Sequence, residues 1–228
     1  FDVISTIMKP IEKIMTGLPG YVTVVLIMQL LWWFGIHGPN VMGAVTGPFM
    51  TKMMAQNLEL YQAGEGITAS GVFYTAGSKY SIIANPFASG WFGPTGSGIT
   101  MGLIIAIMLF SKRDDFKAIA KLSIPCGIFN INEPIIFGIP MVMNAMFAVP
   151  FFLTPVACVC CGYLVQYLGL CPLFVIDVPW TTPIGLFGFL ASSGNIMGAI
   201  WQVVIILGVS TLIYTPFVIA SNRQTEEA

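Results

Sequence analysis

Residues 203–219 read VVIILGVSTLIYTPFVI, an apolar run without a single Asp, Glu, Lys or Arg. At about 1.5 Å of rise per residue, a helix over this run covers most of the hydrocarbon thickness of a bilayer. A membrane β-strand would instead alternate apolar and polar residues over roughly ten positions. The whole chain makes the same demand. Of its 228 residues 56% are hydrophobic and 8% charged, with a mean hydropathy of +0.85, where a soluble domain carries roughly 25% charged residues. A chain of this size has no interior large enough to hide that much apolar surface. The sequence therefore predicts an all-α, polytopic membrane protein.

Further apolar helices are predicted over residues 21–36, 99–110 and 146–168, with the last over 199–219. The opening segment, residues 1–17, sets Ile4, Ile7, Met8, Ile11, Ile14 and Met15 at helical spacing opposite Lys9, Glu12 and Lys13. That pattern fits an interfacial amphipathic helix, or one packed on a further part of the protein. Residues 51–79 are polar and read as an extramembrane connection. The stretch SKRDDFKAIAKLS, residues 111–123, holds four of the nine basic residues, which places it in the cytoplasm. Two segments rich in Pro and Gly, residues 124–144 and 174–195, read as broken re-entrant hairpins. Two full crossings then separate the basic connection from the C-terminus, which is expected on the cytoplasmic side.

Composition also excludes. A net charge of -1 and the lack of a basic cluster interleaved with aromatics set nucleic-acid binding aside. Cys158 and Cys161 form a C-x-x-C spacing among apolar neighbours with no second pair, so the cysteines read as small apolar helix residues, and no metal or cofactor is expected. The chain begins at Phe1 with no signal-peptide pattern and reads as a piece of a longer protein.

Hydrocarbon satisfies neither a free N–H nor a free C=O, so broken helices at membrane depth imply a polar cavity. Three breaks carry chemistry. In GIFNINEPIIFGIP, Glu133 stands between Asn132 and Pro134, where a helix begins, and no Lys or Arg is near in sequence. Such a carboxylate suits sugar hydroxyls or a cation. His37, the single histidine, follows WWFGI and precedes GPN, and reads equally as a structural or a binding residue. Trp180 lies between Pro179 and Pro183, where a flat indole suits stacking on a sugar ring or anchoring at an interface. Asp177 reads as a turn-capping residue.

These motifs, with WTTPIGLFGFLASSGN and LIYTPFVIASNRQ, together resemble the membrane permease component IIC of the bacterial phosphoenolpyruvate-dependent sugar phosphotransferase system, lactose/cellobiose/chitobiose branch. The resemblance covers essentially the whole chain. It implies uptake of a β-linked disaccharide across the bacterial inner membrane. It also implies phosphorylation of the sugar by a phosphorylated cysteine on a separate IIB protein, supplied through enzyme I, HPr and IIA. Carried over by position, Glu133 and His37 contact the sugar, and Asn132, Trp33 and Trp180 complete the pocket. No phosphoacceptor is expected in this chain. Relatives of this kind are about twice as long and dimeric, so residues 1–228 would be the C-terminal, sugar-binding and transport part, lacking the N-terminal helices that supply much of the dimer interface.

Two other classes compete. In an ion-coupled secondary sugar transporter Glu133 would carry the coupling proton or sodium. An intramembrane enzyme built on His37 and Glu133 is the weaker rival, because no H-E-x-x-H, paired-aspartate or activated-serine motif accompanies them.

Overall fold

The structure, a computed structural model, describes residues 14–68, 71–139 and 141–226. Almost all of the interfacial helix predicted over residues 1–17 lies outside the described residues. The rest is mainly helical, with one small antiparallel ladder in which β1 (Ile67–Thr68) pairs with β2 (Gly71–Val72).

Helix α1 (Leu18–Trp33) starts with Pro19 in its first turn, where a missing N–H costs nothing. It stops at a left-handed Gly35: Gly35 N–H reaches Trp32 O at 2.8 Å and Ile36 N–H reaches Leu31 O at 2.9 Å. Three residues later α2 (Gly38–Gln62) begins, and the ring Nδ1 of His37 caps it by accepting the Asn40 N–H at 3.2 Å. The break predicted around His37 is therefore a helix–turn–helix corner. Helix α2 corrects one expectation, because it continues to Gln62 through a stretch read as connection. Met50, Met53 and Asn57 are buried along one face while Lys52 and Glu59 are exposed. Asn57 then ties the following loop back, donating to Ser81 O at 2.8 Å and accepting Ser81 N–H at 2.9 Å.

The short α3 (Asn85–Trp91) leads through a chain of turns into α4 (Met101–Phe110). The basic connection is shorter than predicted, since α5 (Asp114–Ile128) already starts at Asp114 with two aspartates in its first turn, where the helix dipole favours them. After α5 come the short α6 (Glu133–Gly138), then α7 (Ala145–Tyr167) and the short α8 (Leu186–Ala191). Helix α9 (Ile196–Val203) passes through a π-helical turn (Val204–Val209) into α10 (Ser210–Glu226). Among the described residues two helices are long and apolar enough to cross a membrane: Ala145–Tyr167, with mean hydropathy 2.0, and Ile196–Asn222, with 2.3. Both coincide with predicted spans, and α1 and α4 are shorter apolar helices.

Two apolar clusters hold these elements. In one, Trp91 stacks flat on Phe174 with ring centroids 5.2 Å apart. Helix α7 meets that indole at Gly162, where any side chain would overlap it. In the other, α4 and α10 close on each other at Gly102 and Ser210, and the buried Tyr214 hydroxyl donates to Gly98 O at 2.8 Å. The broken segments are pinned by polar side chains. Gln202, fully buried, accepts the N–H groups of Gly185 and Gly188 at 2.8 Å each and donates to Gly90 O at 3.0 Å. It thereby joins the start of α8 to the end of α3.

Candidate functional site

The interruptions surround a cavity of about 830 Å³, within the usual size range of small-molecule sites. One wall is α1, whose Tyr21, Met28 and Trp32 lie on one helical face along roughly 16 Å of axis. Opposite stand α2, the end of α3, the turn around Gly96 and Ser97, the loop 130–134, and Trp180.

Glu133 opens α6, followed by Pro134 in the first turn. It is half-buried and lines the cavity, and its carboxylate has neither an ion pair nor a hydrogen bond among the described residues. Among the described residues no Lys or Arg lines the cavity with it. His37 lines the same space. Because its Nδ1 accepts from the Asn40 N–H, the proton of the neutral ring sits on Nε2, which is left as a donor. The imidazole rests against the Trp32 indole, centroids 4.9 Å apart. Trp180 also lines the cavity and is 58% exposed, leaving its ring free to take a flat partner.

Two predicted residues are placed differently. Trp33 does not line the cavity; its ring packs on Phe34 and Phe152, and Trp32 takes the cavity wall instead. Successive helix residues point about 100° apart, and it is Trp32 that continues the face of Tyr21 and Met28. Asn132 does line the cavity, but its amide N–H is engaged with Ser97 O at 2.6 Å, so it is first a fastener between loops. Asp177 holds Asn85, which donates to it at 3.1 Å.

Several functional groups escaped the sequence reading. The Trp32 Nε1–H and the Ser97 hydroxyl are buried, border the cavity and have no hydrogen-bond partner among the described residues. Asn40, Thr46, Asn85 and Asn130 add polar atoms to the lining. For Trp32 a signal existed in its spacing from Tyr21 and Met28. For Ser97, in a Gly- and Thr-rich turn, there was none. The result is a site with one carboxylate, one imidazole donor, unpaired neutral donors and large rings, suited to a neutral, hydroxyl-rich molecule with an apolar face.

Residues 2–155 match the family model described as phosphotransferase system, EIIC. The chain belongs to the EIIC family. Among relatives of this EIIC chain, the cellobiose-specific EIIC component of Lactococcus lactis subsp. lactis (strain IL1403) is 36% identical over 96% of the chain and 46% of the relative. The oligo-beta-mannoside-specific EIIC component of Bacillus subtilis (strain 168) is 34% identical over 97% of the chain and 48% of the relative. The crystal structure of ChbC, the IIC component of an N,N'-diacetylchitobiose-specific phosphotransferase system, superposes with a TM-score of 0.86 at 34% identity, over 96% of this chain and 49% of that one. The EIIC chain thus spans about half the length of the relatives it matches.

Proposed function

We propose that residues 1–228 are the C-terminal, sugar-binding and transport part of an EIIC permease. The permease takes up a β-linked disaccharide of the cellobiose, chitobiose or lactose type across the bacterial inner membrane. The single observation that carries this reading is the cavity. An unpaired carboxylate, an Nε2–H donor, two buried donors without partners and two indoles surround one space, and sugar hydroxyls would satisfy every one of those groups. Family membership and the specificities in the relatives' names support the substrate class. The same membership disfavours the ion-coupled secondary transporter.

In this reading Glu133 accepts a hydrogen bond from the sugar hydroxyl that is to react, while His37 donates to a neighbouring oxygen and Trp180 covers a ring face. A phosphorylated IIB protein supplies the phosphoryl group. The sugar oxygen attacks phosphorus, the S–P bond to the IIB cysteine breaks, and the hydroxyl proton passes to the Glu133 carboxylate. IIA, HPr and enzyme I recharge IIB, and the full-length permease is a homodimer. The segments 124–144 and 174–195 re-enter the membrane around the cavity, and the C-terminus is cytoplasmic. Calorimetric titration of the full-length permease with cellobiose tests the site. Binding that survives unchanged in both Glu133→Gln and His37→Ala would remove it.

A further inference from the structure

Among the described residues five helices end in the same hydrogen-bonded turn, in which one residue turns left-handed just past the helix end. Glycine takes that position after α1, α2 and α7, at Gly35, Gly64 and Gly169. After α8 it is Ser193, and after α5 it is Asn130, with φ +66°. The α5 ending is otherwise regular, with Asn130 N–H on Gly127 O at 3.0 Å and Ile131 N–H on Cys126 O at 3.1 Å. The backbone asks only for a residue that tolerates positive φ, and glycine does so with less strain. An asparagine there is explained by its side chain.

That side chain is 5% exposed and makes three hydrogen bonds, each to a different backbone group. Its Oδ1 accepts the Thr95 N–H at 2.8 Å, and its Nδ2 donates to Trp180 O at 2.6 Å and Thr182 O at 2.9 Å. Between Val178 and Thr182, these two are the hydrogen bonds that reach outside the loop among the described residues; the remaining bond, Thr182 N–H to Pro179 O, is internal. Pro179 and Pro183 bring no N–H of their own. The backbone carrying the Trp180 indole is therefore held to the cavity through Asn130.

We propose that Asn130 is a positioning residue of the sugar site: it seats Trp180 in the cavity wall and fixes that wall relative to Glu133, three residues further along the same loop. This rests on the sugar-binding reading of the cavity. Asn130 acts through Trp180 and its own amide is spent on the protein, so its effect on binding is indirect.

The geometry supplies a clean substitution. Asn130→Gly keeps the left-handed turn and deletes all three side-chain bonds. Asn130→Asp keeps the acceptor for Thr95 but sets a carboxylate against two carbonyl oxygens. Full-length permease in lipid nanodiscs is titrated with cellobiose as wild type, Asn130→Gly, Asn130→Asp, Trp180→Ala and the Asn130→Gly/Trp180→Ala pair. Asn130→Gly is expected to fold with a lowered thermal midpoint, since it leaves the Thr95 N–H and two carbonyl groups without their partner, and to bind about tenfold more weakly. In the Trp180→Ala background the same change is expected to alter affinity less than about twofold, since the group it positions is gone. Acrylamide quenching of the Trp180 fluorescence, isolated by subtracting Trp180→Phe, should rise in Asn130→Gly with or without sugar.

Wild-type affinity in Asn130→Gly, or full additivity with Trp180→Ala, overturns the proposal while leaving the sugar site standing. Absence of cellobiose binding in the wild type strikes the sugar reading instead, and the quenching comparison still decides whether Asn130 seats the indole. Should Asn130→Gly fail to fold, Asn130→Asp carries the test. Its affinity relative to wild type at the same pH should recover as pH falls and its protonated carboxyl regains one donor, and a ratio that stays at one at every pH refutes the seat.

Discussion

Glu133 lines the cavity with no cation beside it among the described residues, and that fixes what its replacement should do. A hydrogen bond to a charged group contributes about 1.5–3 kcal/mol, so Glu133→Gln should weaken cellobiose binding by roughly ten- to a hundredfold in a calorimetric titration. The two adjacent tryptophans offer a sharper contrast. Trp32→Ala should weaken binding, since it removes both a wall and an Nε1–H donor. Trp33→Ala should leave affinity unchanged and lower the thermal midpoint, because that ring packs only on apolar neighbours. Glu133 itself was legible in the sequence, as a charge amid apolar residues demands an explanation. The choice between Trp32 and Trp33 was equally available from the spacing to Met28. The role of Asn130 was not, because its partners lie 35, 50 and 52 residues away.

At the scale of elements, the long apolar helices could be read directly and the short ones could not. Helices α6 and α8 have six residues each, too few to form alone in water. They exist because side chains from elsewhere meet their ends, as Gln202 does for α8. Gln202→Leu should therefore be costly. It leaves two N–H groups and one carbonyl buried without partners, at about 1–3 kcal/mol each, and should show as a large drop in the midpoint of thermal unfolding in detergent. Gly162→Ala tests packing instead. Its added methyl meets the Trp91 indole where α7 passes α3, and overpacking of this kind costs about 1–3 kcal/mol. Helix α2 was misread because exposed Lys52 and Glu59 mask a buried face that Met50, Met53 and Asn57 mark at helical intervals.

For the molecule as a whole, the sign of the cavity matters as much as its shape. Among the described residues one carboxylate and no Lys or Arg line it, and in surroundings of low dielectric a second negative charge is repelled strongly. Cellobiose 6-phosphate should accordingly bind at least about tenfold more weakly than cellobiose, and Glu133→Gln should narrow that ratio by competition titration. Composition announced the membrane at once, because so few charged residues leave an apolar chain no alternative. The cavity could only be inferred, since its walls come from breaks spread between Tyr21 and Trp180. Those breaks are knotted together: Asn130 grips the turn at Thr95 and the strand of chain at Trp180, while Asn132 grips Ser97. A chimera that borrows one of these segments from a relative with another preference would import a wall without its hinges. Exchanging specificity between such permeases means transplanting all three at once.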